Sequence, residues 1–205
     1  MPTDWLDIAK RIQAIAQSGL EYGYDKYDLD RYQQLRDISV EIMHGLSDEP
    51  VEKITHLFAS EKGYQTPKVD IRGVIFRDGK LLMVREGIDG NWSLPGGWAD
   101  VAHTPFDVAR KEVWEEAGLK VKPQRLLAVI DKTKWPMPTD KYHIYKMFIL
   151  CEDLGGEIST GMETLDVKWM DRTERLPLST PRTCQEQIDL MFEYFDKPEK
   201  ATWCD

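Results

Sequence analysis

The stretch from Gly96 to Leu119 constrains the fold more than any other part of the chain, because two demands meet on it. From about residue 104 to 118 the spacing predicts a helix. At about 100° per residue, Phe106, Ala109, Val113 and Ala117 share one face and can pack on a sheet. Glu112, Glu115 and Glu116 fall within an arc of about 100° on another face. Three carboxylates on one arc repel one another and weaken an isolated helix. They make sense against a hard divalent cation: Mg²⁺ takes carboxylate oxygens, keeps several waters and bridges to substrate phosphates. A solvated acidic face is the plainer alternative. The loop ahead, Leu94-Pro95-Gly96-Gly97, favours the metal, since glycine lets backbone come close and the Gly96 carbonyl can add a ligand.

The surrounding chain reads in two parts, residues 1–66 and 67–205. The first part is helical. A helix from Thr3 carries Leu6, Ile8, Ile12, Ile15 and Ala16 and is expected to stop at Gly19. A second runs from about Asp28 to Met43, with Tyr32, Leu35, Ile38 and Ile42 in one stripe. A third starts near Asp48, has Pro50 in its first turn and ends at Gly63. From Val69 the pattern changes to strands, at about 69–76 and 81–84, joined by a turn at Asp78-Gly79 that suits positive φ. Further strands are expected at about 124–132, 143–151 and 165–170, and an amphipathic helix at about 182–196 with Ile188, Met191, Phe192 and Phe195 as its apolar face. Strands mixed with two helices give an α/β or α+β layered domain.

Composition removes several function classes. The net charge is −9, and residues 1–66 hold 7 Lys and Arg against 12 Asp and Glu, which argues against a specific DNA reader. An acidic enzyme still binds a polyanion when metal ions supply the positive charge. Cys151, Cys184 and Cys204 lie far apart with no zinc spacing, as reduced thiols in the cytoplasm would. There is no signal-like start and no apolar run of membrane length, so no membrane partner is expected.

The segment Gly97-x5-His103-x7-Lys111-Glu112-Val113-x-Glu115-Glu116-x-Gly118-Leu119 resembles the Nudix box, G-x5-E-x7-R-E-U-x-E-E-x-G-U with U apolar. Seven of its nine specified positions match. His103 stands where the family has Glu, and Lys111 where it has Arg. These two departures touch the buttressing of the box and leave its metal carboxylates in place. The resemblance implies a Nudix α/β/α sandwich with a mixed sheet, preceded here by a small helical domain. It implies that Glu112 and Glu116 are the principal Mg²⁺ ligands, with Mn²⁺ able to substitute, that Glu115 joins them and that the Gly96 carbonyl adds a ligand. Glu163 stands where the family often places a base or an extra ligand. The metal would polarise phosphorus and make hydroxide available near neutral pH, and Glu112 or Glu163 would take the proton.

Arg72 and Arg85 are expected on strands bordering the cleft, where a guanidinium fork suits phosphate. Trp92 and Trp98 flank the glycine loop and could stack on a base, or pack in the core. Lys132, Lys134 and His143 are weaker candidates. The order of the N-terminal helices, the segment Gly97–Val101 and the tail Leu176-Pro177-Leu178-Ser179 with Arg182-Thr183 resemble bacterial CDP-choline pyrophosphatases. That resemblance implies cleavage of a nucleoside diphosphate-linked small molecule, CDP-choline first and ADP-ribose as the alternative. Tyr27 and Asp28, in a tyrosine- and aspartate-rich connection, would hold a quaternary ammonium, by way of a partner subunit in a homodimer. An ordinary helix connection is the competing reading of those residues. RNA ends stay open as substrates, and a non-catalytic ligand sensor is the reading from another class.

Overall fold

The computed structural model describes residues 4–47, 50–59 and 62–205. It divides into a helical unit, up to Pro67 together with Lys141–His143, and a sheet-bearing unit, Lys68–Asp140 with Ile144–Asp205. The expected helix starts at Thr3 and Asp48 fall outside the described residues.

In the helical unit, α1 (Trp5–Tyr22) is capped by Asp4, whose carboxylate accepts from the Asp7 amide. It runs through Gly19 rather than stopping there. Gly19 is a packing residue instead: a Cβ would lie 2.3 Å from the Tyr32 ring of α2 (Lys26–Gly45). The short α3 (Val51–Phe58) has Pro50 as its N-cap and ends well before Gly63. The buried face of α1 is Ala9, Gln13, Ala16 and Gln17, while Ile15 and, on α2, Ile38 are exposed. The stripe read from apolar spacing is therefore rotated.

The second unit is built on two sheets. The larger has the order β5-β1-β7-β6-β9, from β5 (Gly96–Trp98), β1 (Lys68–Val74), β7 (Ile144–Asp153), β6 (Val121–Asp131) and β9 (Trp203–Cys204). It is mixed: β1 and β7 run parallel, as do β6 and β9, while β1–β5 and β6–β7 are antiparallel. The smaller sheet joins β2 (Phe76–Arg77), β3 (Lys80–Glu86), β4 (Trp92–Ser93) and β8 (Thr164–Met170). Asp78 and Gly79 both take positive φ in the β2–β3 turn, as their types predict.

Strand alternation makes the layers. On β3, Leu81 and Met83 join the core that holds Ile188, Met191 and Phe192 of α5 (Gln185–Asp196). Leu82 and Val84 point the other way, into the core that holds Val108, Ala109, Val113 and Ala117 of α4 (Pro105–Ala117). The result is an α/β/α sandwich with a mixed sheet, preceded by helices. Each such buried aliphatic side chain contributes roughly 1.5–3 kcal/mol. Phe106, expected on the packing face of α4, is instead exposed, and Val108 takes its place.

Candidate active site

A cleft of about 980 Å³ opens on the sheet unit. Its walls are α4, strand β5, Asp70 and Arg72 of β1, the loop Ser159–Glu163, and Arg182. Local chemistry sets α4 firmly. Thr104 and Asp107 form a reciprocal capping box, Pro105 opens the helix, and Gly118 closes it at φ 68°. The loop–helix contact depends on Gly96. At φ 146°, a Cβ there would stand 2.0 Å from the Ile71 carbonyl oxygen, so only glycine lets β5 lie this close to β1. From that position the Gly96 amide donates to Glu116 Oε2 at 2.8 Å.

Glu116 is a buried carboxylate of the cleft, 6% exposed. Burial pushes its pKa up to about 8, against the opposing pull of Arg72 and the Gly96 amide, while Glu86 and Glu112 push further upward. Burial likewise raises the Glu112 pKa. Glu115, one residue before Glu116, lies at the rim. Beneath them is a buried set of charges. Asp70 accepts from Arg72 Nε at 3.0 Å and from Lys146 Nζ. Burial works against the Asp70 carboxylate, yet Arg72 and Lys146 outweigh it and hold its pKa below the usual value. Burial lowers Lys146 to about 8.

The two departures from the box have visible consequences. Lys111 Nζ bonds Asp100 at 2.9 Å and stands 3.6 Å from Glu112 and 3.7 Å from Glu115. The Asp100 bond, with those two carboxylates, raises the Lys111 pKa. Asp100 thus provides a fixed anion beside the box, while His103 is exposed, with its ring nitrogen Nδ1 3.3 Å from the Val101 carbonyl and its amide donating to Asp100 O at 3.3 Å. Asp100 was absent from the expected residues; an acidic side chain three positions before His103 was the available signal.

Of the expected residues, Glu112, Glu115, Glu116, Gly96, Trp98, Arg72 and Glu163 all line the cleft. Arg72 does so differently from expectation. It is 4% exposed, with Nε on Asp70 and Nη1 on the Leu94 carbonyl, so its fork is held by protein. Arg85 does not line the cleft: it is exposed and donates to the Gly90 carbonyl at 2.7 Å. Strand parity explains this, since its neighbour Glu86 is the one turned into the cleft. Trp92 packs in the core beside α5, whereas Trp98 is 51% exposed. Trp114, 53% exposed on α4, also lines the cleft and was not foreseen, because it occupies an unspecified position of the box. Lys132 lines the cleft and pairs with Asp140 at 3.1 Å; Lys134 and His143 do not line it. Tyr27 and Asp28 belong to the helical unit. Lys26 Nζ lies 4.9 Å from the centre of the Tyr27 ring, and Asp28 pairs with Arg31 at 2.5 Å.

A NUDIX domain model matches residues 66–188, spanning the whole cleft. This chain belongs to the Nudix hydrolases. Residues 3–58 match a UDP-X-like, N-terminal oligomerisation domain. The chain is 42% identical, over 98% of its length and 96% of the relative's, to a protein of Bacillus subtilis (strain 168) named "Putative ADP-ribose pyrophosphatase YjhB". A crystal structure of an ADP-ribose pyrophosphatase from Streptococcus suis matches 68% of this chain and all of that one, at 41% identity and TM-score 0.63. A UDP-X diphosphatase structure covers 98% of both chains, at 30% identity and TM-score 0.64. As a Nudix hydrolase the chain acts on pyrophosphate bonds. No helix among the described residues is long and apolar enough to cross a membrane.

Proposed function

We infer that this Nudix hydrolase is a Mg²⁺-dependent pyrophosphatase of nucleoside diphosphate-linked small molecules, with ADP-ribose as its first substrate, yielding AMP and ribose 5-phosphate. The observation that carries the reading is the meeting of Glu112 and Glu116 with the Gly96 loop in one cleft. The donors fit a hard cation. Glu116 is a carboxylate that burial leaves harder to ionise than in water, despite Arg72 and the Gly96 amide, and a bound cation would reverse that. Among the described residues no three acidic, histidine or cysteine side chains form a ready cage. Mg²⁺ needs none, because it keeps its waters and completes its shell with phosphate oxygens.

Glu112 and Glu116 would hold the ion, with Glu115 and the Gly96 carbonyl as further ligands. When bound, the ion supplies charge neutralisation at the diphosphate and an acidified water. Glu163 would take a proton, a role supported by its exposed position in the cleft lining. Trp98 offers an exposed aromatic face for the base.

CDP-choline gives way to ADP-ribose as the leading substrate. Two of the similar proteins, at 42% and 41% identity, carry the name ADP-ribose pyrophosphatase, one of them as a putative assignment. Lys26 Nζ over the Tyr27 ring and Arg31 on Asp28 are contacts that a choline headgroup would have to displace. The exposed apolar side chains of α1 and α2, including Trp5, Ile15, Tyr22 and Ile38, support a homodimer formed through the helical domain of residues 1–66, with residues 67–205 as the catalytic domain. The unpaired cysteines fit a cytoplasmic enzyme.

The test is release of nucleoside monophosphate by the purified chain with Mg²⁺, offered ADP-ribose, CDP-choline and a UDP-sugar in parallel. A kcat/KM for ADP-ribose about tenfold above the others, about 1.4 kcal/mol of transition-state preference, is expected. Preference for CDP-choline would restore the choline reading. Hydrolysis of none, with Mg²⁺ or Mn²⁺, would return the ligand-sensor reading.

A further inference from the structure

The turn before α5 delivers a cation to the cleft from outside the Nudix box. Its backbone is fixed at both ends. The Trp92 amide donates to Pro177 O at 2.9 Å, and the Ser179 amide donates to Trp92 O at 2.8 Å. The amides of Arg182 and Thr183 both donate to Ser179 O at 2.8 Å, and Thr183 Oγ1 accepts from the Leu94 amide at 3.4 Å. Ser179 is fully buried, and its hydroxyl donates to Asp89 at 2.7 Å.

The side chain that this scaffold presents is Arg182. Its Nε pairs with Glu86 Oε1 at 3.2 Å, and its Nη1 makes a long 3.4 Å contact with Ser179 Oγ. Its Nη2 has no hydrogen-bond partner among the described residues. The Glu86 carboxylate is shared: it also accepts from Ser93 Oγ at 2.5 Å and stands 3.9 Å from Arg72 Nη1. The other three cleft cations are more fully claimed. Arg72 is buried on Asp70 and Leu94 O, Lys132 is buried on Asp140, and Lys111 is bound by Asp100. Arg182 alone among these four combines a side chain more than a quarter exposed with a guanidinium fork.

We propose that Arg182 is a phosphate-binding residue, which grips an oxygen of the substrate's diphosphate while Glu86 and Ser179 position its guanidinium. The assignment rests on the reading of the cleft as a diphosphate site. Arg182 and the acidic helix line the same cavity, so a diphosphate held there by a metal at Glu112 and Glu116 has a cation of matching geometry in the same cleft. A planar fork can meet two phosphate oxygens at once, and a lysine ammonium cannot. Fixing the turn in advance lowers the ordering cost of that contact.

The test uses the full chain with Mg²⁺ and titrates imidodiphosphate, a hydrolysis-resistant diphosphate, by calorimetry, with ADP-ribose kinetics alongside. Arg182→Gln and Arg182→Lys are expected to weaken imidodiphosphate binding about tenfold and about fivefold, with thermal midpoints near wild type. In Arg182→Ala, added guanidinium ion is expected to recover part of the lost kcat/KM, a rescue that a merely structural arginine would not give. Binding by Arg182→Gln within about threefold of wild type overturns the assignment, as does a wild type that does not bind imidodiphosphate. The two readings separate cleanly. Arg182-dependent binding without nucleotide hydrolysis keeps the phosphate contact and removes the proposed activity. ADP-ribose hydrolysis that is indifferent to Arg182 does the reverse.

Discussion

Replacing Glu116 by glutamine should inactivate the enzyme while stabilising its metal-free fold. The magnitude follows from burial. The folded carboxylate has its pKa pushed from 4.5 to about 8, so the folded, metal-free protein still holds this proton at neutral pH after the unfolded chain has released it. The stability that this group contributes is present in full below about pH 4.5 and is lost as pH rises through about 8. At 1.36 kcal/mol per unit, the loss is about 3 kcal/mol by pH 7 and about 5 kcal/mol above pH 9. Glutamine is neutral throughout, and its Oε1 can still accept the Gly96 amide. In EDTA, urea unfolding followed by tryptophan fluorescence should therefore find Glu116→Gln more stable than wild type at pH 7, with a gap that widens up to about pH 9. Added Mg²⁺ should stabilise the wild type by mass action and leave the variant nearly unmoved. Turnover should fall at least about a hundredfold, as for loss of a preorganised charge-stabilising group. A variant that unfolds more easily in EDTA, shows the wild-type pH slope, or keeps more than about a tenth of the rate would refute the reasoning.

Two further substitutions probe the cleft from opposite directions. Gly96→Ala combines a positive φ with a 2.0 Å approach to a backbone oxygen, so a loss of more than about 3 kcal/mol is expected in thermal unfolding; a wild-type melting curve would mean that β5 can retreat from β1 at little cost. Arg85→Ala removes only an exposed bond to Gly90 O, so kcat/KM should stay within about threefold of wild type, and a tenfold fall in steady-state kinetics would return Arg85 to the cleft.

Much of the catalytic half could be read before any coordinates, for a local reason. The spacing of Glu112, Glu115 and Glu116 within one helix, the capping residues around it and the Asp78-Gly79 turn are all short-range geometry. Errors gathered where long-range packing decides. Gly19 looks like a helix stop and is a contact point for Tyr32. Ile15 looks like core and is exposed. Arg72 and Arg85 share a residue type and a strand context, yet one is sealed beneath the carboxylates and the other is turned away. Asp100, Trp114 and Arg182 line the cleft, and none of them stands at a specified position of the box.

The family, the acidic helix and the alternation that sends Leu81 and Met83 to one core and Leu82 and Val84 to the other are written locally in the chain, because helix and strand periods are properties of neighbours along it. Which charges meet is a matter of the packed fold. It set Gly96 against Ile71 so that a glycine amide reaches Glu116, and it carried Arg182 to Glu86 across nearly a hundred residues. Burial and charge proximity depend on which strands lie side by side, and that pairing is a property of the whole packed core rather than of any one segment.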